Sequence, residues 1–181
     1  MSPVPPPSPE PPEAAPPKPR APMPQPSAGG EIWLEQQGRE LQAGLRQVLK
    51  WQERQARGWQ WMMESGDWKR TVLVAHRHFE NLSMLSVRTV LAGLESLLGD
   101  RKVTTKGTTI IVLVSFQHLM DAQKVKEQIL GAVEGKRGVF KTVTPLVVLH
   151  DAKSQRMTLF GKPTDYPETR RVVQYLLAGR P

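Results

Sequence analysis

The sequence predicts an α+β domain on the ferredoxin-like β-α-β-β-α-β plan, extended by a strand and a C-terminal helix. Three observations predict it. Segment 106–116, KGTTIIVLVSF, is the longest run of β-branched and apolar residues and opens on a Lys-Gly turn signal. Segments 81–98 and 121–134 carry leucine and valine stripes at helical spacing. Of 17 prolines, 13 fall in the first 26 positions, so the folding material starts near residue 30 and suffices for one domain.

Residues 1–29 form the first division, a Pro-rich tail expected to be disordered or polyproline II. Its Pro16-x-x-Pro19 and Pro19-x-x-Pro22 spacings arise easily in so proline-rich a tract, which reads as a spacer or solubilising arm. The second division, 30–66, reads as one long helix over 31–64, uninterrupted by proline. Leu34, Leu41, Leu45, Val48, Trp59 and Met62 fall near a 3–4 spacing, but Gly38, Gln52 and Gln55 interrupt the seam. All five tryptophans (Trp33, Trp51, Trp59, Trp61 and Trp68) lie within 33–68. A solvated helix would not carry that aromatic area, so the segment is expected to bind a protein partner or itself, or to dock on its own domain. The partner-binding set is Trp33, Leu41, Leu45, Val48, Trp51, Trp59, Trp61 and Met62.

The third division, 69–181, is the compact domain. It is expected to run strand 71–78, helix 81–98 capped at Gly99, short strand 101–105, a tight turn at Lys106-Gly107 and the central strand. Helix 121–134, strand 140–150 broken or bulged at Pro145, strand 155–160 and helix 166–178 follow, the last with a capping box from Asp165 to Glu168. Asn81-Leu82-Ser83 fits a glycosylation sequon but reads as a helix start. If 101–116 is instead one strand, the order becomes β-α-β-α-β-β. The central strand is apolar on both faces, with Ile110, Val112, Val114 and Phe116 on one and Ile111 and Leu113 on the other, and 146–149 repeats this. A sheet covered on one side alternates apolar with polar, so both faces should be covered. The cover would be the Trp-rich helix, the C-terminal helix or a second copy.

Composition excludes several chemistries. With no cysteine, disulfides, thiolate nucleophiles and Cys-type metal sites are out. No run of ~18 apolar residues suggests a membrane span, and no signal-peptide core is evident. A cytoplasmic location therefore needs the fewest assumptions, with the nucleus as the alternative. No P-loop, G-x-G-x-x-G or G-x-S-x-G motif is present, the acids are scattered, and His76, His78, His118 and His150 have no acid at a metal-ligand spacing. A non-enzymatic protein is expected, with no cofactor, no metal and no evident small-molecule substrate.

Charge points to a second class of partner. The net charge is +8, and +7 of it falls on 71–181. On the ferredoxin-like plan, Arg77, Lys106, Lys136, Arg137, Lys141 and Lys162, with His76 and His78, gather on one lip of the sheet. Such a lip suits phosphate backbones.

Lys106-Gly107 opening the central strand, and Val114-Ser115-Phe116 leading to Asp121-Ala122, resemble the RNA-recognition motif over about 80 residues. That family stacks bases on aromatics of its central and first strands, where this chain has Thr108, Ile110, Leu113 and Leu73. The resemblance therefore implies the topology and a protein partner on the sheet face, not stacked single-stranded RNA. Two functions are thus expected of the sequence: an assembly or adaptor protein acting through the Trp-rich helix and the sheet face, or a sequence-nonspecific nucleic-acid-binding protein, dimeric through its helix.

Overall fold

A computed structural model describes residues 28–49, 51–54, 58–99, 107–136 and 143–178. The order is α1 (Ala28–Leu49), β1 (Gln52–Arg54), β2 (Trp61–Gly66), β3 (Arg70–Leu82), α2 (Met84–Gly99), β4 (Gly107–Leu119), α3 (Ala122–Lys136), β5 (Val143–Asp151), β6 (Arg156–Phe160) and α4 (Pro167–Ala178). The described residues thus form a mixed six-stranded sheet and four helices. The tail and the 101–105 strand expected from sequence lie outside the described residues.

The strands lie side by side in chain order, β1 to β6. The pairs β1–β2, β2–β3 and β5–β6 are antiparallel, and β3–β4 and β4–β5 are parallel. This corrects the ferredoxin-like expectation, whose sheet is antiparallel throughout. Both edges of β4 are taken by parallel neighbours, which leaves no edge for a hairpin partner. The second reading, β-α-β-α-β-β, matches the order from β3 to β6. Two successive crossovers of one hand, stepping the same way across the sheet, put both helices on one face. Accordingly Val87, Val90, Leu94 and Leu98 of α2 and Val125, Ile129 and Val133 of α3 share a core with Leu73, Ile110, Val112, Val114 and Val147.

The opposite face is also covered. Ile111 and Leu113 are fully buried, together with Val72, Val74, Leu146 and Val148, beneath Leu45 of α1 and Val172, Val173 and Leu176 of α4. The two-faced apolar pattern of β4 is explained by helices of the same chain. Pro145 causes no break: β5 keeps its register through the Ile110–Pro145 pair. No helix among the described residues is long and apolar enough to cross a membrane.

The expected 31–64 helix is the second correction. α1 ends at Leu49, and Trp51–Gly66 supplies a β-hairpin instead. The physical reason is the period. Trp61 and Met63 enter the α1/α4 core while Met62, between them, enters the α2/α3 core. That alternation belongs to a strand, and Gln52 and Gln55 broke the helical seam just where the helix has ended. Gly58, at φ +85°, sits in the left-handed region that a turn needs and most residues avoid.

The β2–β3 turn is tight. Asp67 N–H donates to the Arg70 carbonyl (2.8 Å), and Asp67 Oδ1 accepts from Lys69 N–H (2.7 Å) and Arg70 N–H (2.8 Å). A Cβ on Gly66 would overlap the Arg70 carbonyl oxygen. Gly66→Ala is therefore expected to cost about 1–3 kcal/mol, read as a lower urea midpoint with unchanged m-value.

Candidate nucleic-acid interface and a buried histidine row

The face under α1 and α4 is apolar only in its middle. Along β4 it reads Thr109, Ile111, Leu113, Ser115; along β5 it reads Thr144, Leu146, Val148, His150. On β3 it runs from Arg70 through Val72 and Val74 to His76. Each end of this face is polar, and a cleft opens at each.

The cleft at the strand starts has a volume of about 370 Å³ and is lined by Arg70, Gly107, Thr108, Thr109, Thr144, Thr164, Asp165 and Tyr166. Three hydroxyls tie β4 to α4: Thr109 Oγ1 and Thr164 Oγ1 lie 3.2 Å apart, Thr164 donates to Thr169 (3.1 Å), and Thr169 donates to Thr109 (3.3 Å). Hydrogen-bond donors for an anion must come from other groups. Arg70 supplies them, its guanidinium 5.8 Å from the Tyr166 ring centre. Asp165 accepts from Arg170 Nη2 at 2.7 Å, and that bond and charge hold its carboxyl below the usual range. Beside Arg70, on the same turn, Trp68 is 77% exposed, with Lys69 Nζ 4.5 Å from its ring centre.

The cleft at the strand ends, about 310 Å³, lies between α1 and the sheet. His76, which lines it, begins a row of buried polar groups that runs across three adjacent strands. His76 Nε2 is 3.0 Å from Ser115 Oγ, which is 3.0 Å from His150 Nδ1. Trp61 stacks on His76 with ring centres 4.8 Å apart. Gly38 lets α1 close over the row, since a Cβ there would stand 2.7 Å from His76 Cε1. Burial drives the His76 pKa down to about 3, with His78 and His150 adding to the shift, so the ring is neutral at physiological pH. Ser115 is fully buried behind His76 and is not among the residues lining the cleft, so its hydroxyl has no open approach for a substrate. Among the described residues no group of three or more histidines and acids could hold a metal ion.

The structure redistributes the residues singled out by sequence. Leu45, Trp51, Trp59, Trp61 and Met62 are buried in the two cores, and Leu41 packs against the α1/α4 core. They cover the chain's own sheet, because alternate residues of the β2 strand face opposite layers. Trp33 is half-buried, and the Val48 side chain lies outside the described residues. Of the basic set, Lys162 is exposed after β6, near the strand-start edge. Lys106, Arg137 and Lys141 and the Lys136 side chain lie outside the described residues.

Arg77 does not join that edge, and neither do His76 and His78. β3 runs parallel to β4 with Arg70 opposite Gly107, so Arg77 is seven residues on, about 23 Å along the strand. There its guanidinium donates to the Gly58 carbonyl at 2.9 Å. Arg70 and Trp68 take its place. Sequence reasoning missed both, although Trp68 is the one tryptophan flanked by turn residues and bases, Asp67 and Lys69-Arg70.

Comparison with protein-family models, curated proteins and solved structures finds no match to this chain.

Proposed function

We propose that the protein binds single-stranded nucleic acid, without sequence specificity, along the strand-start edge of its sheet. The observation that carries this reading is a 77% exposed Trp68 two residues before Arg70, which itself lines the threonine-rich cleft. An exposed aromatic offers a base a stacking surface, and adjacent cations hold the phosphates. The +7 net charge of 71–181 supports it, and so do the bases in the sequence leading into β4 (Arg101, Lys102, Lys106) and β5 (Arg137, Lys141). The adaptor reading is less well supported, because the hydrophobic residues it relied on serve the interior.

The test is fluorescence anisotropy with a labelled mixed-sequence single strand and the matching duplex. Single-strand affinity should fall linearly with salt on logarithmic axes, and Arg70→Ala should flatten the slope by about 0.7 for each phosphate that the arginine neutralises. Trp68→Ala should weaken single-strand binding by about 1–3 kcal/mol, with a smaller effect on duplex. Absence of binding at ~20 mM salt, where phosphate interactions are strongest, would remove the reading.

A further inference from the structure

We propose that the cleft over His76 is a binding site for a small, uncharged, planar amide, whose N–H donates to His76 Nδ1 and whose carbonyl accepts from Trp61 Nε1–H. The site stands at the opposite end of the strands from Arg70 and Trp68, so it is independent of the nucleic-acid reading.

Among the described residues four buried side-chain nitrogens have no hydrogen-bond partner in the protein, and three of them, Trp61 Nε1, His76 Nδ1 and His78 Nδ1, belong to residues that line this one cleft; the fourth, Trp51 Nε1, lies elsewhere. His76 is fully buried, so its free nitrogen is a cost that a complementary ligand removes. The hydrogen-bond row fixes what that nitrogen offers. Gln155, held at φ +55°, donates its amide nitrogen to the Ala152 carbonyl (2.6 Å) and to Gln37 Oε1 (3.2 Å). Its remaining oxygen can only accept, and Gln155 acts on the His150 pKa in the upward direction, the sense expected of an acceptor beside a ring N–H. This favours His150 with its proton on Nε2 and a lone pair on Nδ1. Ser115 then donates to His150 Nδ1 and accepts from His76 Nε2–H, which leaves His76 Nδ1 as a bare acceptor. Trp61 Nε1–H can only donate. An N–H beside a C=O presents the complementary pair.

The rim gives no net charge: Glu35 and Arg39 bond each other at 2.5 Å. An ion entering the cleft would lose hydration without a free counter-charge, so an uncharged ligand fits better. The volume is near the lower limit of small-molecule sites.

The probes are 2-pyridone, which carries the N–H beside the carbonyl, and N-methyl-2-pyridone, which lacks the N–H. Imidazole and indole ¹⁵N spectra of the full chain report on binding. His76 Nδ1 should be unprotonated in the free protein and should shift with 2-pyridone, together with Trp61 Nε1. The N-methyl analogue should bind at least about tenfold more weakly, because it leaves the buried acceptor unpaired. Gly38→Ala, which crowds His76, should abolish the shifts. Should that variant not fold, Gln42→Phe on the cleft's helical rim should do the same with an unchanged thermal midpoint. A protonated Nδ1, equal binding of both probes, no shift at ~10 mM probe, or undiminished binding to Gln42→Phe would each overturn the proposal.

Discussion

Unfolding free energy should fall by about 2 kcal/mol between pH 7 and pH 5 through His76 alone, and by roughly 4 kcal/mol by pH 3. The folded pKa, about 3, lies below the ordinary 6.5. Below pH 6.5 the unfolded chain takes up a proton that the native ring refuses until about pH 3, so stability is lost as pH falls through that window and is regained above it. The groups facing His76 do not reverse this. Trp61, Gly38 and Ser115 are uncharged, His78 and His150 lower its pKa further, and Glu35 and Arg39 neutralise each other at the rim. His78 and His150, themselves lowered mainly by burial, act in the same direction. Asp67, held low by its bonds from Arg70 and Lys69, acts only further down, below 3.8. Urea unfolding at pH 7, 6, 5 and 4 gives the slope. His76→Phe keeps a ring under Trp61 but removes the titrating site, and its slope should be shallower by up to one proton. Equal slopes for the two proteins would refute the burial of a neutral His76.

The sequence displayed the layers more clearly than their connections. The double apolar face of β4 required cover on both sides, and α1 and α4 supply it with α2 and α3 opposite. What composition could not settle was strand direction. Lys106-Gly107 has hairpin chemistry, yet Gly107 begins a strand whose two neighbours are both parallel, an arrangement set by crossover helices and not by a local turn. Reversing that one pairing moves Arg77 from one end of the sheet to the other, so the bases gathered at one edge changed even though the α+β class did not. His118 and His150 were legible as residues near strand ends, but His76 lies in the middle of β3, and the burial of His76 and His150 was not legible. Nor was their partner Ser115, since nothing local distinguishes it from other small residues on a strand. Its role comes from two neighbouring strands placing His76 and His150 within 3.0 Å of one oxygen.

The tryptophan-rich stretch was legible as a cluster but not as a division of labour, and that division makes a second large prediction. Trp61→Ala should cost about 3–5 kcal/mol, whereas Trp68→Ala should fall within about 0.5 kcal/mol of the parent protein. Trp61 is 5% exposed, fills the core beneath α1 and α4, and stacks on His76; Trp68 is 77% exposed. Truncating Trp61 removes its transfer free energy, leaves a cavity between rigid layers, and opens the neutral histidine to water. A loss of that size is a large part of the ~5–15 kcal/mol that holds a domain of this length together. Urea unfolding of both variants at pH 7 separates the roles. If the two substitutions cost the same, Trp61 is not the interior cover of the sheet, and the helical, partner-facing reading of 51–64 returns. If Trp61→Ala alone is destabilising while Trp68→Ala alone loses single-strand affinity, one short hairpin supplies a core anchor from β2 and a stacking surface from its turn.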